Sequence, residues 1–415
     1  MIVMENRSFF EILLSEGKER FSVNAKTSNF VKTAKFEGSE ENTLFYTYLN
    51  YLSKQRQEAS TSEQVLKDEN ASEEDKEKAR ESLKTQGERV RAYQEKLVTE
   101  NPGSLPASVI RASWQVDIPE YKDETDSVRK IKQLEFYQEH YFDNIDFSDG
   151  RLVRTPMLEP KLRQYFKQLI VPVPDSVTKA IDFVMGKIIE GKDKEMYKFV
   201  VSMLLNKYAS EDKTMFGEDI YAHIALNYYD DPEMVDWMKE KDRKKILSQA
   251  QRIMPLRIGQ KAPNLELKTL DGELVSLHGI DAKYTIIYFW DPDCGICKKA
   301  SKVLTGVYDR FKQHDVEVFG ICNKTYEELE KCGQSAREKG MKWINTADPY
   351  GQGQAHAKYA IQANPVLYIL DENKVIRYKK IGAKQIDEVL SRELGLEPAA
   401  ASSDTGEDEH TDDHE

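Results

Sequence analysis

Apolar and polar positions change rhythm twice along this chain. Near the start, Ser8–Leu14 and Glu19–Ala25 alternate about a Ser15-Glu-Gly-Lys18 turn and predict a β-hairpin, with a third short strand over Val31–Phe36. Three strands with no partner sheet bury little. They are expected to be the last strands of a β-sandwich whose earlier strands and export signal lie upstream of Met1. From Gly38 the rhythm becomes helical. Ser39 is followed by Glu40 and Glu41, a capping start, and Leu44, Phe45, Tyr48, Leu49 and Leu52 make one apolar face. Beyond Ser53 the chain is almost wholly polar to Val65. A second start at Ser72-Glu-Glu-Asp75 leads a charged helix to about Thr99, with sparse apolar positions at Ala79, Leu83, Val90, Tyr93 and Leu97. The pair predicts an exposed helical hairpin, and Asn101-Pro102-Gly103 ends it. Helical spacing then recurs around 126–141, 159–169, 174–190, 194–208, 219–228 and 231–253, with neither a repeat nor a catalytic cluster. His140 and His223 read as packed or surface side chains.

After Pro255 the rhythm changes again. Two short strands flank Asp271-Gly272, a hairpin signal. Tyr284–Trp290 is a continuous apolar run, the mark of a strand buried on both faces. A helix follows with Ala300, Val303, Leu304, Val307, Tyr308 and Phe311 on one side. Val316–Ile321 is another buried strand, and helices are expected over Glu327–Lys339 and Gln352–Tyr359. Asn364-Pro365 opens a strand to Leu370, Val375–Lys379 pairs with it through a turn, and Ile386–Leu394 closes the domain. Strands alternating with helices, then a hairpin and a helix, give a central sheet covered on both faces. The fold class is therefore multidomain, a β-strand remnant (1–37) and an α-helical domain (38–254) followed by an α/β domain (255–396), with 397–415 a disordered acidic tail.

Composition refines this in one respect. The net charge is −12 over 415 residues, and the tail after Leu396 holds eight of the acids and none of the Lys or Arg. The rest is close to balanced, which offers no footprint for nucleic acid. No apolar run approaches membrane-spanning length, and no signal peptide is visible.

The chemistry concentrates where the buried strand hands over to its helix: Trp290-Asp-Pro-Asp-Cys294-Gly-Ile-Cys297. Pro292 breaks the strand and suits a first helical turn. At a helix N-terminus, free N–H groups and the dipole favour an anion such as a thiolate. A Cys-X-X-Cys at a βα handover points to redox chemistry. The competing reading, half of a zinc site, wants two more ligands at short spacing. Cys322 and Cys332 are not so paired, and no His-X3-His lies nearby. Four cysteines do not make a disulfide framework. Cys322, at the end of a strand neighbouring Tyr284–Trp290, is either a nearby third thiol or a buried, idle cysteine.

Residues 255–396 resemble a thioredoxin-fold domain of the TlpA/ResA type, related to the AhpC/TSA group. The residues that carry this are Gly259-Gln-Lys-Ala-Pro263, Asp271-Gly272, Trp290-Asp-Pro-Asp-Cys-Gly-Ile-Cys-Lys298 and Asn364-Pro365 before a strand. The resemblance implies a thiol–disulfide oxidoreductase without a cofactor or metal. In it Cys294 attacks, Cys297 resolves, and Trp290, Pro292, Asn364 and a cis Pro365 adjoin the substrate. Its partners would be protein thiols or disulfides and an electron-donor protein. Two departures touch the substrate side: Asn364 stands where Thr is common, and the helix after the cysteines lacks a usual proline. The earlier region, through Phe36–Asn42 and Tyr141–Leu152, resembles the amino-terminal part of TlpA-like envelope proteins, which implies the cell envelope or periplasm. Gly295-Ile296 between the cysteines offers no His to stabilise a thiolate, which favours a reducing role. A peroxiredoxin-like peroxide reductase is the enzymatic alternative. A helical adaptor that only docks partners is the non-enzymatic one.

Overall fold

The amino-terminal strands are two or three residues long and pair differently from the expected hairpin. In the computed structural model, which describes residues 2–3, 9–10, 12–14, 20–210 and 216–398, β1 (Ile2–Val3) pairs with β2 (Phe9–Phe10). β3 (Ser22–Asn24) pairs with β4 (Lys35–Glu37) across a single-turn helix, α1 (Phe30–Thr33). The described parts of the two runs expected to pair with each other do not, and the expected turn between them lies outside the described residues. Strands this short specify register weakly. Asn29 accepts a hydrogen bond from the Lys32 N–H at 3.2 Å, which starts a helix where a strand was expected.

Two compact units follow from the chain, Met1–Val201 and Ser202–Glu415. In the first, α2 (Glu40–Lys67) and α3 (Glu73–Glu100) form the hairpin, each capped by its serine: Ser39 Oγ accepts from Asn42 and Ser72 Oγ from Asp75. The polar stretch after Ser53 stays helical because neither Gly nor Pro interrupts it. Tyr48, Leu97 and Ile110 make a small buried cluster, while the Tyr51 and Tyr93 rings meet at a tilt, their centroids 3.9 Å apart. Ion pairs such as Lys78–Glu74 and Arg91–Glu95 dress the solvent face. α4 (Leu105–Ala112), α5 (Asp126–His140), α6 (Leu158–Gln164) and α7 (Pro174–Gly191) complete the unit, and α8 (Lys194–Ser210) runs on from it. The Tyr141–Leu152 motif is held by its own polar groups. Asp146 accepts from Ser148, and Asp149 binds Arg151 at 2.7 Å and Ser108 at 2.7 Å.

The second unit continues with α9 (Gly217–Tyr228) and α10 (Glu240–Ile253), then the sheet: β5 (Glu266–Thr269), β6 (Leu274–Ser276), β7 (Tyr284–Trp290), α11 (Gly295–Phe311), β8 (Val316–Cys322), α12 (Leu329–Glu338), β9 (Ile344–Ala347), α13 (Ala355–Lys358), β10 (Val366–Asp371), β11 (Ile376–Lys379) and α14 (Ala383–Leu394). The strand order is β11-β10-β7-β8-β9-β5-β6, with β7, β8 and β9 parallel and the other pairings antiparallel. Every residue of β7 is buried, as a strand covered on both faces requires. Period-two alternation sends Ile286, Tyr288 and Trp290 into the core that includes α11 and α14, and Ile287 and Phe289 into the opposite core with α13. The fold is a helical region followed by a thioredoxin-like α/β sheet.

One polar contact in this unit is unusual. The Lys379 side chain is 0% exposed; its Nζ lies 2.6 Å from Asp219 Oδ1 and 3.7 Å from Glu218 Oε2, while Lys380 takes the other Glu218 oxygen at 2.6 Å. Burial pushes the Asp219 carboxyl up, and Lys379 opposes that push. A charge this deep persists only when paired, so α9 and β11 are tied through these groups.

Candidate active site

The site is built at the carboxyl end of β7. Asp291 and Pro292 end the strand, and Cys294 takes the N-cap position of α11 with extended backbone, φ −78° and ψ 119°. Its sulfur accepts the backbone N–H of Cys297 at 3.3 Å, satisfying one of the donors that a helix start leaves free. The Cys294 thiol in turn donates to the Asn364 carbonyl at 3.6 Å. The Asn364-Pro365 bond is cis. Two segments separated by 70 residues thus meet at one sulfur. Cys294 is half-buried and unbridged; Cys297 is unbridged and 1% exposed.

Behind the pair the environment is apolar. Burial, and next the hydrogen bond to Cys294, push the Cys297 thiol up to about 12. The Tyr288 hydroxyl, itself kept protonated by burial, donates to the Cys297 carbonyl at 3.0 Å and lies 2.9 Å from Ser301 Oγ. This fixes the first turn of α11 from below.

The residues expected to adjoin a substrate divide. Asn364 and Pro365 lie partly exposed beside Cys294. Trp290 is 1% exposed and lies in one core cluster with Cys297, and Pro292 is also buried, so neither offers an open surface to substrate. Apolar strand residues on that face are drawn into the α11 core. The side chain that faces outward is Ile296, 67% exposed between the two cysteines.

Sequence reasoning missed the neighbouring loop. Cys322 is neither a third thiol nor idle: it forms a disulfide with Cys332, their Cα atoms 6.2 Å apart. Cys322 ends β8 directly beside Trp290 in the parallel register, and Cys332 is buried in α12. Between them, Lys324 Nζ reaches Asp291 at 3.1 Å and Asp293 at 2.8 Å, and Lys331 Nζ stands 3.6 Å from Asp293. Lys324 holds the Asp293 carboxyl below its usual range. The Asn323 N–H donates to the Trp290 carbonyl at 2.8 Å. A disulfide-closed loop therefore neutralises both carboxylates that precede Cys294. The strand register of Cys322 against Trp290 was a usable signal, but the position of Cys332 depended on how α12 packs.

Comparisons with known proteins agree with this architecture. Residues 258–379 match the AhpC/TSA family, and residues 65–252 match a domain of unknown function (DUF5106). Thiol-disulfide oxidoreductase ResA of Bacillus cereus is 24% identical over 135 residues, 31% of this chain and 71% of that protein. Peroxiredoxin Q of Oryza sativa subsp. japonica is 26% identical over 136 residues, 30% of this chain and 63% of that protein. A thioredoxin-like protein from Bacteroides caccae superposes with a TM-score of 0.53 at 21% identity, covering 67% of this chain and 98% of that one, which is a likeness of fold. Residues 258–379 thus form an AhpC/TSA domain similar to the TlpA/ResA-like proteins of the thioredoxin superfamily, and they follow a helical region that fits the domain of unknown function.

Proposed function

We propose that this protein is a thiol–disulfide oxidoreductase that reduces disulfides in protein substrates through Cys294 and Cys297. One observation carries the reading: a partly exposed sulfur at a helix N-cap, beside the cis Asn364-Pro365 carbonyl, with a second sulfur sealed behind it. The Cys294 thiolate attacks one sulfur of a substrate disulfide, forming a mixed disulfide and releasing the other substrate sulfur as a thiolate. Cys297 then attacks the Cys294 sulfur. The internal disulfide forms, the second substrate thiol leaves, and the proton lost by Cys297 goes with it. Two electrons pass from the cysteine pair to the substrate, and an electron-donor protein restores the dithiol. Ile296 offers an apolar contact for the substrate segment. By the family resemblance, the setting is the cell envelope.

Insulin reduction with a chemical reductant tests the activity, and Cys297→Ser should accumulate mixed disulfides through Cys294. Absence of turnover together with absence of trapping would reject the proposal.

Similarity to peroxiredoxin Q supports a second reading. There, Cys294 takes an oxygen from hydrogen peroxide to give a sulfenic acid and water, and Cys297 condenses with it to give the disulfide and a second water. Rapid hydrogen peroxide consumption without insulin reduction would favour this reading instead.

A further inference from the structure

A second candidate site lies in the helical region. A cavity of about 190 Å³ is lined by the loop after α4, with Trp114 and Gln115, by Tyr137 and Tyr141 at the end of α5, and by Lys161 and Gln164 of α6. No Asp or Glu lines it. Among the described residues, the Lys161 ammonium meets the Trp114 carbonyl at 3.4 Å and the Tyr141 ring, 5.5 Å from its centroid, and makes no ion pair. A desolvated ammonium ordinarily has a carboxylate partner. Here burial pushes the Lys161 ammonium down with no carboxylate to offset it.

Two further groups at the cavity can donate. The Trp114 indole N–H is buried and finds no acceptor among the described residues, which is uncommon for a sealed donor. The Tyr141 hydroxyl gives its proton to Gln164 Oε1 at 3.0 Å, which leaves the Gln164 NH2 as a further donor. Burial pushes Tyr141 up to about 12, so it contributes no negative charge near neutral pH. The Arg91 guanidinium lies 4.0 Å from the Trp114 ring centroid, but its charge is already paired with Glu95, so Lys161 is the cation the cavity offers. One ammonium with neutral donors suits a singly charged, planar anion. A phosphate dianion would call for more cations.

We propose that this cavity binds a carboxylate, with Lys161 as its counter-ion and Gln164 and Trp114 as hydrogen-bond donors. The carboxylate could belong to a free small acid or to the carboxyl end of a polypeptide, and the two share this chemistry. The site is independent of the cysteine chemistry proposed above.

The test uses the full chain, titrated with acetate, with a short peptide bearing a free carboxyl end, with the same peptide amidated, and with inorganic phosphate. Binding is read by tryptophan fluorescence and by the NMR shift of isotopically dimethylated Lys161. Saturation by at least one carboxylate probe is expected on the order of millimolar, with no saturation by the amide. Acetate and peptide of equal affinity would assign a free acid; a clear preference for the peptide would assign a polypeptide end. Lys161→Met should weaken binding by roughly tenfold or more, and Lys161→Arg, which keeps the charge, should retain most of it. Unchanged melting temperature in Lys161→Met would separate lost binding from lost folding; if that variant melts early, the dimethyl-lysine shift in the wild type decides. Equal binding of the amide, tighter binding of phosphate, or no lysine shift with any carboxylate would overturn the proposal.

Discussion

Cys294 and Cys297 lie three residues apart at the start of a helix, whereas Cys322 and Cys332 join a strand end to a helix interior across ten residues. All four adjoin the same hydrophobic core. The fold treats them differently through access and hydrogen bonding. Cys294 is half-buried, caps a helix and faces a backbone carbonyl on another segment. Cys322 and Cys332 are 1% and 0% exposed and bonded to each other. Exchange requires a thiolate that a foreign sulfur can reach, so the first pair is suited to turnover. The second is suited to hold the loop that presents Lys324 and Lys331.

The comparison breaks most visibly at Cys294. Cys294→Ser should reduce insulin turnover to below about 1% of wild type and abolish trapping, while Cys322→Ser with Cys332→Ser should keep turnover within about threefold. Loss of activity in the double variant that thermal unfolding does not explain would give the second pair a chemical role. The next effect is on labelling. Because the Cys297 thiol is pushed up to about 12, iodoacetamide at neutral pH should label Cys294 alone in the reduced protein, as mass spectrometry of peptides would reveal. The sign for stability follows. The folded state holds the Cys297 proton where an unfolded thiol, ordinarily near pH 8.5, has lost it. The reduced protein should therefore lose stability as pH rises through that range towards 12. Early labelling of Cys297 would reverse the assigned roles.

Removing the second disulfide should cost about 2–4 kcal/mol of unfolding free energy, as expected for a short closed loop, measurable by denaturant titration under non-reducing conditions. The smallest effect is electrostatic. Lys324→Met leaves Asp291 and Asp293 without their shared cation beside Cys294, and should slow alkylation by iodoacetate a few-fold more than alkylation by neutral iodoacetamide. Equal slowing of both reagents would indicate a change in loop geometry instead of charge.

Much of this site is legible in the sequence because it is local. The run Tyr284–Trp290 announces a strand buried on both faces, Pro292 announces the break, and the spacing from Ala300 to Phe311 announces the helix that Cys294 caps. The helical hairpin is similarly local, marked by Ser39 and Ser72. What resisted reading depends on distant packing. The disulfide needed the placement of Cys332 against the end of β8. The pairings of β1 with β2 and of β3 with β4 turned on strands too short to fix their own register. The donor-rich cavity joins positions from Trp114 to Gln164 that share no motif.

The buried Lys379 has a consequence for portability. Matching to the AhpC/TSA family begins at residue 258 and ends at 379, which invites cutting the redox domain out near Pro255. The carboxylates that neutralise Lys379 lie on α9, at Glu218 and Asp219. A fragment lacking them loses both counter-charges of Lys379 together with the helix that carries them, and it should unfold at lower denaturant than one that starts upstream of α9. A cassette that keeps this ion pair therefore starts upstream of α9, so two carboxylates fasten part of the helical region to the edge of the sheet.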